Sequence, residues 1–181
     1  MSKRFKEMSL DNVTLATYRD DAAFSFIMDE FNRKDVSLTN MAHEAYIGQV
    51  RFNDTLNEEM AQKALFEIMH KREIKNNIMI ALAIDKLAES NLLPEPLQSI
   101  IVEDAPNFGT DEILGMAIAS LYGSVAMAQF GYLDLAKDGE AKRLDKTDKG
   151  VNTMIDDIVS GIIAATEAKI MQNLVKEPED K

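Results

Sequence analysis

Apolar residues recur at helical spacing along most of this chain. Phe24, Ile27, Met28 and Phe31 fall at i, i+3, i+4 and i+7, which predicts a helix over about Asp21 to Asn32. Ser37 is placed to cap a second helix running to about Phe52, with Leu38, Met41, Ala45 and Tyr46 inward and Asn53-Asp54-Thr55 as its break. From about Asn57 a third helix carries Met60, Ala64, Leu65, Ile68 and Met69. Ile74 through Leu87 extend the pattern in the same or a fourth helix that stops near Pro94. Pro94-Glu95-Pro96 ends one helix and can open the next, so Leu97 to Val102 is expected as a short helix, and Pro106-Asn107-Phe108-Gly109 as a loop.

Thr110 then caps a segment without a charged residue between Ile113 and Leu133. A membrane span needs about 20 mainly apolar positions. Gly115, Ser120, Gly123, Ser124, Gln129 and Gly131 interrupt this run, and acids rather than Lys or Arg sit at its ends. The expectation is a buried central helix, apolar on all sides, with Ile113 to Gln129 the most buried segment. Ala136 to Gly150 is polar, and a last helix is expected from about Val151 to Leu174. There is no internal repeat.

The fold expected is therefore all-α: a multihelical single domain over residues 21–174, one buried helix surrounded by others, with an N-terminal arm over 1–20 and a solvated tail over 175–181. Scarce glycine (8) and proline (4) in 181 residues agree with helices rather than a turn-rich sheet. No cysteine is present and no apolar run follows the basic N-terminus, so a cytoplasmic setting is expected. Acids outnumber Lys and Arg by 31 to 20, a net charge of -11 that repels nucleic acid.

Two acidic pairs carry the candidate chemistry. Asp156-Asp157 lies between Met154-Ile155 and Ile158-Val159, so both carboxylates border packed faces. Adjacent carboxylates in a partly buried helix repel one another and lose hydration, and so require protons, hydrogen-bond donors or a cation. Asp111-Glu112 directly follows the Thr110 cap, where the helix dipole alone would explain acids. Together the pairs favour Mg²⁺, which takes carboxylate and water oxygens. Asp85 and Asp104 are further acids near apolar positions, and His43 and His70 are isolated.

Asp111-Glu112-Ile113-Leu114-Gly115-Met116 resembles the D-E-x-x-G-M segment of the phosphatidylglycerophosphatase A superfamily. Met154-Ile155-Asp156-Asp157-Ile158-Val159-Ser160-Gly161 resembles its M-I-D-D-I-V-x-G segment, in the same order. The likeness is closest to the soluble YutG-type branch, the low-temperature-requirement C proteins. It runs from about Val36 to Ala168 through His70-Lys71-Arg72-Glu73-Ile74, Glu95-Pro96-Leu97-Gln98, Leu121-Tyr122-Gly123-Ser124 and Phe130-Gly131-Tyr132.

The resemblance implies Mg²⁺-dependent hydrolysis of phosphatidylglycerol phosphate, or a related phosphomonoester, to phosphatidylglycerol and phosphate. It implies metal ligands at Asp111, Glu112, Asp156 and Asp157, with Asp111, Asp156 and Asp157 catalytic. Where the membrane-embedded enzymes have an Arg- and Lys-bearing segment between the acidic motifs, this chain has Tyr122 to Gln129. Lys71, Arg72, Lys142 and Arg143 are then the candidates for binding substrate phosphate. The alternative is a non-catalytic helical metal-binding or regulatory protein that has lost the basic segment. A nucleotide pyrophosphohydrolase ranks last, because Glu58-Glu59-Met60-Ala61-Gln62 breaks the E-E-x-x-E pattern. Expected partners are a phospholipid or small phosphomonoester, with peripheral membrane contact and a homo-oligomer left open.

Overall fold

A computed structural model describes residues 20–106, 108–146 and 150–176, so all of the expected arm over 1–20 except Asp20, and most of the tail over 175–181, lie outside the described residues. Among the described residues there are nine helices and no strand: α1 Asp20–Arg33, α2 Leu38–Val50, α3 Glu58–Met69, α4 Arg72–Glu89, α5 Leu97–Val102, α6 Thr110–Ser120, α7 Ser124–Ala136, α8 Gly139–Asp145 and α9 Ile155–Lys176.

Local chemistry accounts for the early elements. Ile27, Met28 and Phe31 of α1 are buried, as their spacing predicts. The Ser37 hydroxyl accepts the Asn40 N–H at 3.2 Å, and the Asn57 amide oxygen accepts the Met60 N–H at 3.0 Å, each capping the helix that follows. The apolar pattern left open whether α3 and α4 are one helix or two; the chain breaks at His70-Lys71, where Lys71 is extended (φ -74, ψ 129). His70 packs between Phe24 and Phe66, and His43 meets Glu58 at the surface, 2.9 Å away.

The expected central helix is a correction. The uncharged run is two helices, interrupted at Gly123, whose φ of 94° suits a residue without a Cβ. These helices pack side by side with apolar positions facing outward: Ile113 is 67% exposed and Val125 75%. Freedom from charge reports only that no ion must be solvated; burial depends on how many neighbours surround the helix. The surrounded helix is α9, which contacts α2, α3, α4, α6, α7 and α8, while α1 lies against α4. Residues 152–168 of the last segment are all buried. That segment becomes helical at Ile155 rather than Val151, and the polar stretch before it contains α8.

Backbone contact brings α6 against α9. A Cβ on Gly161 would stand 2.5 Å from the Gly115 carbonyl oxygen, and one on Gly115 would stand 2.6 Å from the Asp157 carbonyl oxygen and from the Phe130 ring. Gly115→Ala and Gly161→Ala should each cost about 1–3 kcal/mol in urea unfolding, since overpacking against backbone cannot relax by a rotamer change. Gly131→Ala, whose Cβ would meet nothing within 4 Å, should be neutral or stabilising. Equal behaviour of all three variants would refute the close crossing.

Candidate metal centre

The first turn of α6 contributes Asp111 and Glu112, and the first turn of α9 contributes Asp156 and Asp157. Before α6, Gly109 occupies the cap position with φ 77° and offers no side chain, so Thr110 begins the helix rather than capping it. The approach to α9 is tied down by buried polar groups. Asp85 accepts the Met154 N–H at 3.1 Å and the Ile155 N–H at 3.2 Å, which satisfies two donors at the helix entrance. The Thr153 hydroxyl donates to the Ile101 carbonyl at 2.6 Å, the Asn152 amide to the Leu144 carbonyl at 3.2 Å, and the Lys34 ammonium to Asn152 Oδ1 at 2.9 Å. Asp85 is therefore an anchor of α9. Burial pushes its carboxyl up to about 7, against Lys34 and the two N–H donors.

With the entrance fixed and α6 seated on Gly161, Asp111, Glu112 and Asp157 converge. One carboxylate oxygen from each lies within 4.8 Å of the other two. Asp111 Oδ1, Glu112 Oε2 and Asp157 Oδ1 are buried atoms without a hydrogen-bond partner among the described residues. Burial, reinforced by Asp156, Asp134 and Asp111 and opposed by Lys137, raises the Asp157 carboxyl to about 9. Asp111 is pushed up to about 7, first by burial and then by its contact with Glu112, while that same contact lowers Glu112. Orphaned carboxylate oxygens converging from two helices fit a hard divalent cation such as Mg²⁺, which would be held by Asp111, Glu112 and Asp157 and would supply the missing charge.

Asp156 turns away from the cluster. Its Oδ2 accepts the Lys137 ammonium at 2.8 Å and its Oδ1 accepts the Asp157 N–H at 2.9 Å. Burial raises its carboxyl to about 6 against the pull of Lys137. Lys137 caps α7 in the left-handed region (φ 39, ψ 64), and its N–H donates to the Leu133 carbonyl at 2.8 Å, which aims the side chain back at α9. Burial opposes its charge, but Asp156, Asp157 and Asp145 outweigh that and hold its pKa above the ordinary lysine value. Beside Asp156 opens a cleft of about 190 Å³ bordered by Asp104, Asp145 and Thr153.

The basic residues selected from sequence lie elsewhere. The Lys71 ammonium sits 5.1 Å over the Tyr122 ring, beyond the C-terminal end of α6 and so at the opposite end from Asp111; Arg72 begins α4 beside it. Lys142 faces Asp138 at 3.4 Å in solvent. Arg143 donates to Glu140 at 2.7 Å and to the Lys34 and Asp35 carbonyls at 3.2 and 3.1 Å. Sequence reasoning missed Lys137, whose only signal is a lysine at the end of a helical stretch, just ahead of Asp138-Gly139.

Residues 39–172 match the family model described as Phosphatidylglycerophosphatase A. The chain belongs to the phosphatidylglycerophosphatase A family. The uncharacterized Bacillus subtilis protein YpjQ is 36% identical over 159 residues, covering 84% of this chain and 90% of that protein. Bacillus subtilis YutG, also uncharacterized, is 33% identical over 138 residues, covering 76% and 83%. The crystal structure of the low temperature requirement C protein from Listeria monocytogenes superposes with a TM-score of 0.79 at 28% identity, covering 87% of this chain and 97% of that one. These matches place the chain in the YutG-type branch. As in the expectation for that branch, no helix among the described residues is long and apolar enough to cross a membrane.

In this family member, Asp157→Asn should leave the metal-free fold intact and raise its melting temperature. The sign follows from linkage: a carboxyl raised from 3.8 to about 9 lends stability that is complete below pH 3.8 and is lost as pH climbs through 9. The asparagine variant loses none, so its advantage should widen from pH 5 to pH 9 in thermal melts. A variant that melts lower than wild type at every pH would instead make Asp157 a structural hydrogen-bonding residue.

Proposed function

We propose that this chain is a Mg²⁺-dependent phosphatase that hydrolyses phosphatidylglycerol phosphate, or a related phosphomonoester, to phosphatidylglycerol and phosphate. The observation that carries this reading is the trio of unpartnered, buried carboxylate oxygens on Asp111, Glu112 and Asp157. Family membership supplies the substrate class.

Asp111, Glu112 and Asp157 would hold the cation, which when bound polarises a phosphoryl oxygen and lowers the pKa of coordinated water. Asp156 has a different task from its neighbour. It fixes the Lys137 ammonium, and Lys137, part exposed beside the cluster, offers the positive charge that a phosphate oxygen requires. Lys137 replaces Lys71, Arg72, Lys142 and Arg143 as the basic group nearest the acids. Asp104 and Asp145 line the cleft but repel a phosphate dianion, so they favour approach by a metal-neutralised substrate.

One observation favours the non-catalytic alternative. The segment Tyr122 to Gln129 carries no cation, and Lys137 is already engaged by Asp156 and, at 3.7 Å, by Asp145. A protein that only binds metal would satisfy the same carboxylates.

Phosphate release from a panel of phospholipid, sugar and nucleotide monophosphates, with and without Mg²⁺, decides between these readings. Turnover should require Mg²⁺, be abolished by Asp111→Asn or Asp157→Asn, and fall about 10²–10³-fold with Lys137→Met. Mg²⁺ affinity should also tighten as pH rises from 6 to 9, because the cation must displace protons held on Asp111 (about 7) and Asp157 (about 9). If Mg²⁺ raises the melting temperature in a carboxylate-dependent way but no phosphomonoester is turned over, the regulatory reading stands. If Mg²⁺ changes neither stability nor turnover, both fall.

A further inference from the structure

An apolar groove of about 410 Å³ lies between α7 and the C-terminal half of α9, with Gln49 of α2 on one edge. Val125, Ala126, Ala164, Ala168, Met171 and Val175 form its walls. Its floor is Glu167, 3% exposed, which accepts the side-chain amides of Gln49 at 2.6 Å and Gln129 at 3.2 Å. Room for this carboxyl comes from Gly48, where a Cβ would stand 2.6 Å from Glu167 Oε1. Burial pushes Glu167 up to about 7 against the two amide donors and Arg51. Among the described residues, no basic side chain lines the groove.

The groove and the acidic centre share two helices. Glu167 follows Asp157 on α9, about 15 Å away at 1.5 Å rise per residue. At one end α7 reaches the groove through Val125, Ala126 and Gln129, and at the other its cap residue Lys137 binds Asp156. Between these ends its outer face exposes Val125, Tyr132 and Leu135, the last by 86%. These residues stand at i, i+7 and i+10, which places them in a strip along one side of the helix.

We propose that this groove is the acyl-chain subsite of a phospholipid substrate: the phosphate lies at the Asp111, Glu112 and Asp157 centre, and one chain runs along the outer face of α7 into the groove. The placement of the phosphate rests on the phosphatase reading above; the capture of an apolar chain does not. The volume falls within the range of small-molecule sites, and apolar walls without a cation reject a second phosphate or a sugar. A helix lying on an anionic bilayer displays Lys and Arg on its polar face. From Ser124 to Ala136 α7 has none, which favours a single chain held in a groove over adsorption to a lipid surface.

The test uses a lysophosphatidylglycerol with a dansyl group at its chain end, below its micelle-forming concentration, on the full-length protein. Wild type should bind it with a blue shift of the dansyl emission. Ala168→Phe, which fills the groove, and Val125→Asp, at an exposed wall, should each weaken binding by roughly tenfold or more, from the methylenes left in water. Neither should change the melting temperature by more than a few degrees. In the activity arm, Ala168→Phe should lower kcat/KM for the acylated phosphoglycerol phosphate by a similar factor and leave that of its deacylated counterpart unchanged. Failure of wild type to bind the probe, or equal binding by both variants, overturns the proposal. So does a change from dimer to monomer in sedimentation with Val125→Asp while probe binding stays unchanged, which would assign the strip to a second copy of the chain. Groove-dependent binding without turnover of any phosphomonoester would sink the phosphatase reading alone, whereas turnover insensitive to Ala168→Phe on both substrates would sink only the subsite.

Discussion

The contact of Gly161 with the backbone of Gly115 is the constraint on which the rest of the molecule depends. Neither position leaves space for a Cβ, so α6 and α9 touch backbone to backbone where they cross. Asp111 lies one turn before Gly115, and Asp157 lies one turn before Gly161. Because the two helices run in the same direction from that crossing, their acidic first turns arrive at the same level. A wider interhelical distance, of the kind Leu or Ile produces, would separate the carboxylates and leave each an ordinary first-turn acid. The glycines of the two motifs and their acids are therefore one device.

That device concentrates negative charge where hydration has been removed. The N-terminal ends of α6 and α9 both point their positive dipoles at the cluster, which offsets part of the repulsion. It is not enough, as the raised carboxyls of Asp111 and Asp157 attest. Neighbouring residues divide the remaining work because successive side chains on a helix point about 100° apart. Asp157 faces α6 and joins the cluster, whereas Asp156 faces the end of α7 and holds Lys137. A second layer keeps both in place: Asp85, Lys34, Asn152 and Thr153 fix the backbone just ahead of α9 by hydrogen bonds buried from competing water.

The apolar surface follows from the same arrangement. With α9 enclosed by six helices, α7 can bury only the face that carries Ala126 and Phe130, and its other apolar face is left outside. Phe130 closes on Gly115, so the packing that positions the acids also positions α7, the helix that leads from Lys137 to the groove over Glu167. The acidic cluster and the apolar groove are thus joined through one helix.

By itself the sequence determined the all-α class, the approximate extent of the first two helices and their inward residues, and the family, and it singled out the two acidic pairs. Each of these is written locally, as 3.6-residue periodicity in Ile27 and Phe31, as caps at Ser37 and Asn57, or as short motifs with fixed spacing. Tertiary structure decided what depends on neighbours. It made α9 rather than the uncharged run the buried helix, because burial counts surrounding elements and the run bends at Gly123 into two helices with only one face covered. It split Asp156 from Asp157 and matched Asp156 with Lys137, a residue nothing local distinguishes from any helix-ending lysine. It gave Asp85 to the entrance of α9 and spent Arg143 on Glu140. Hydropathy and motif spacing describe one chain segment at a time, whereas the pairing of charges follows from distances between segments far apart in sequence, and those distances are fixed only when the helices pack.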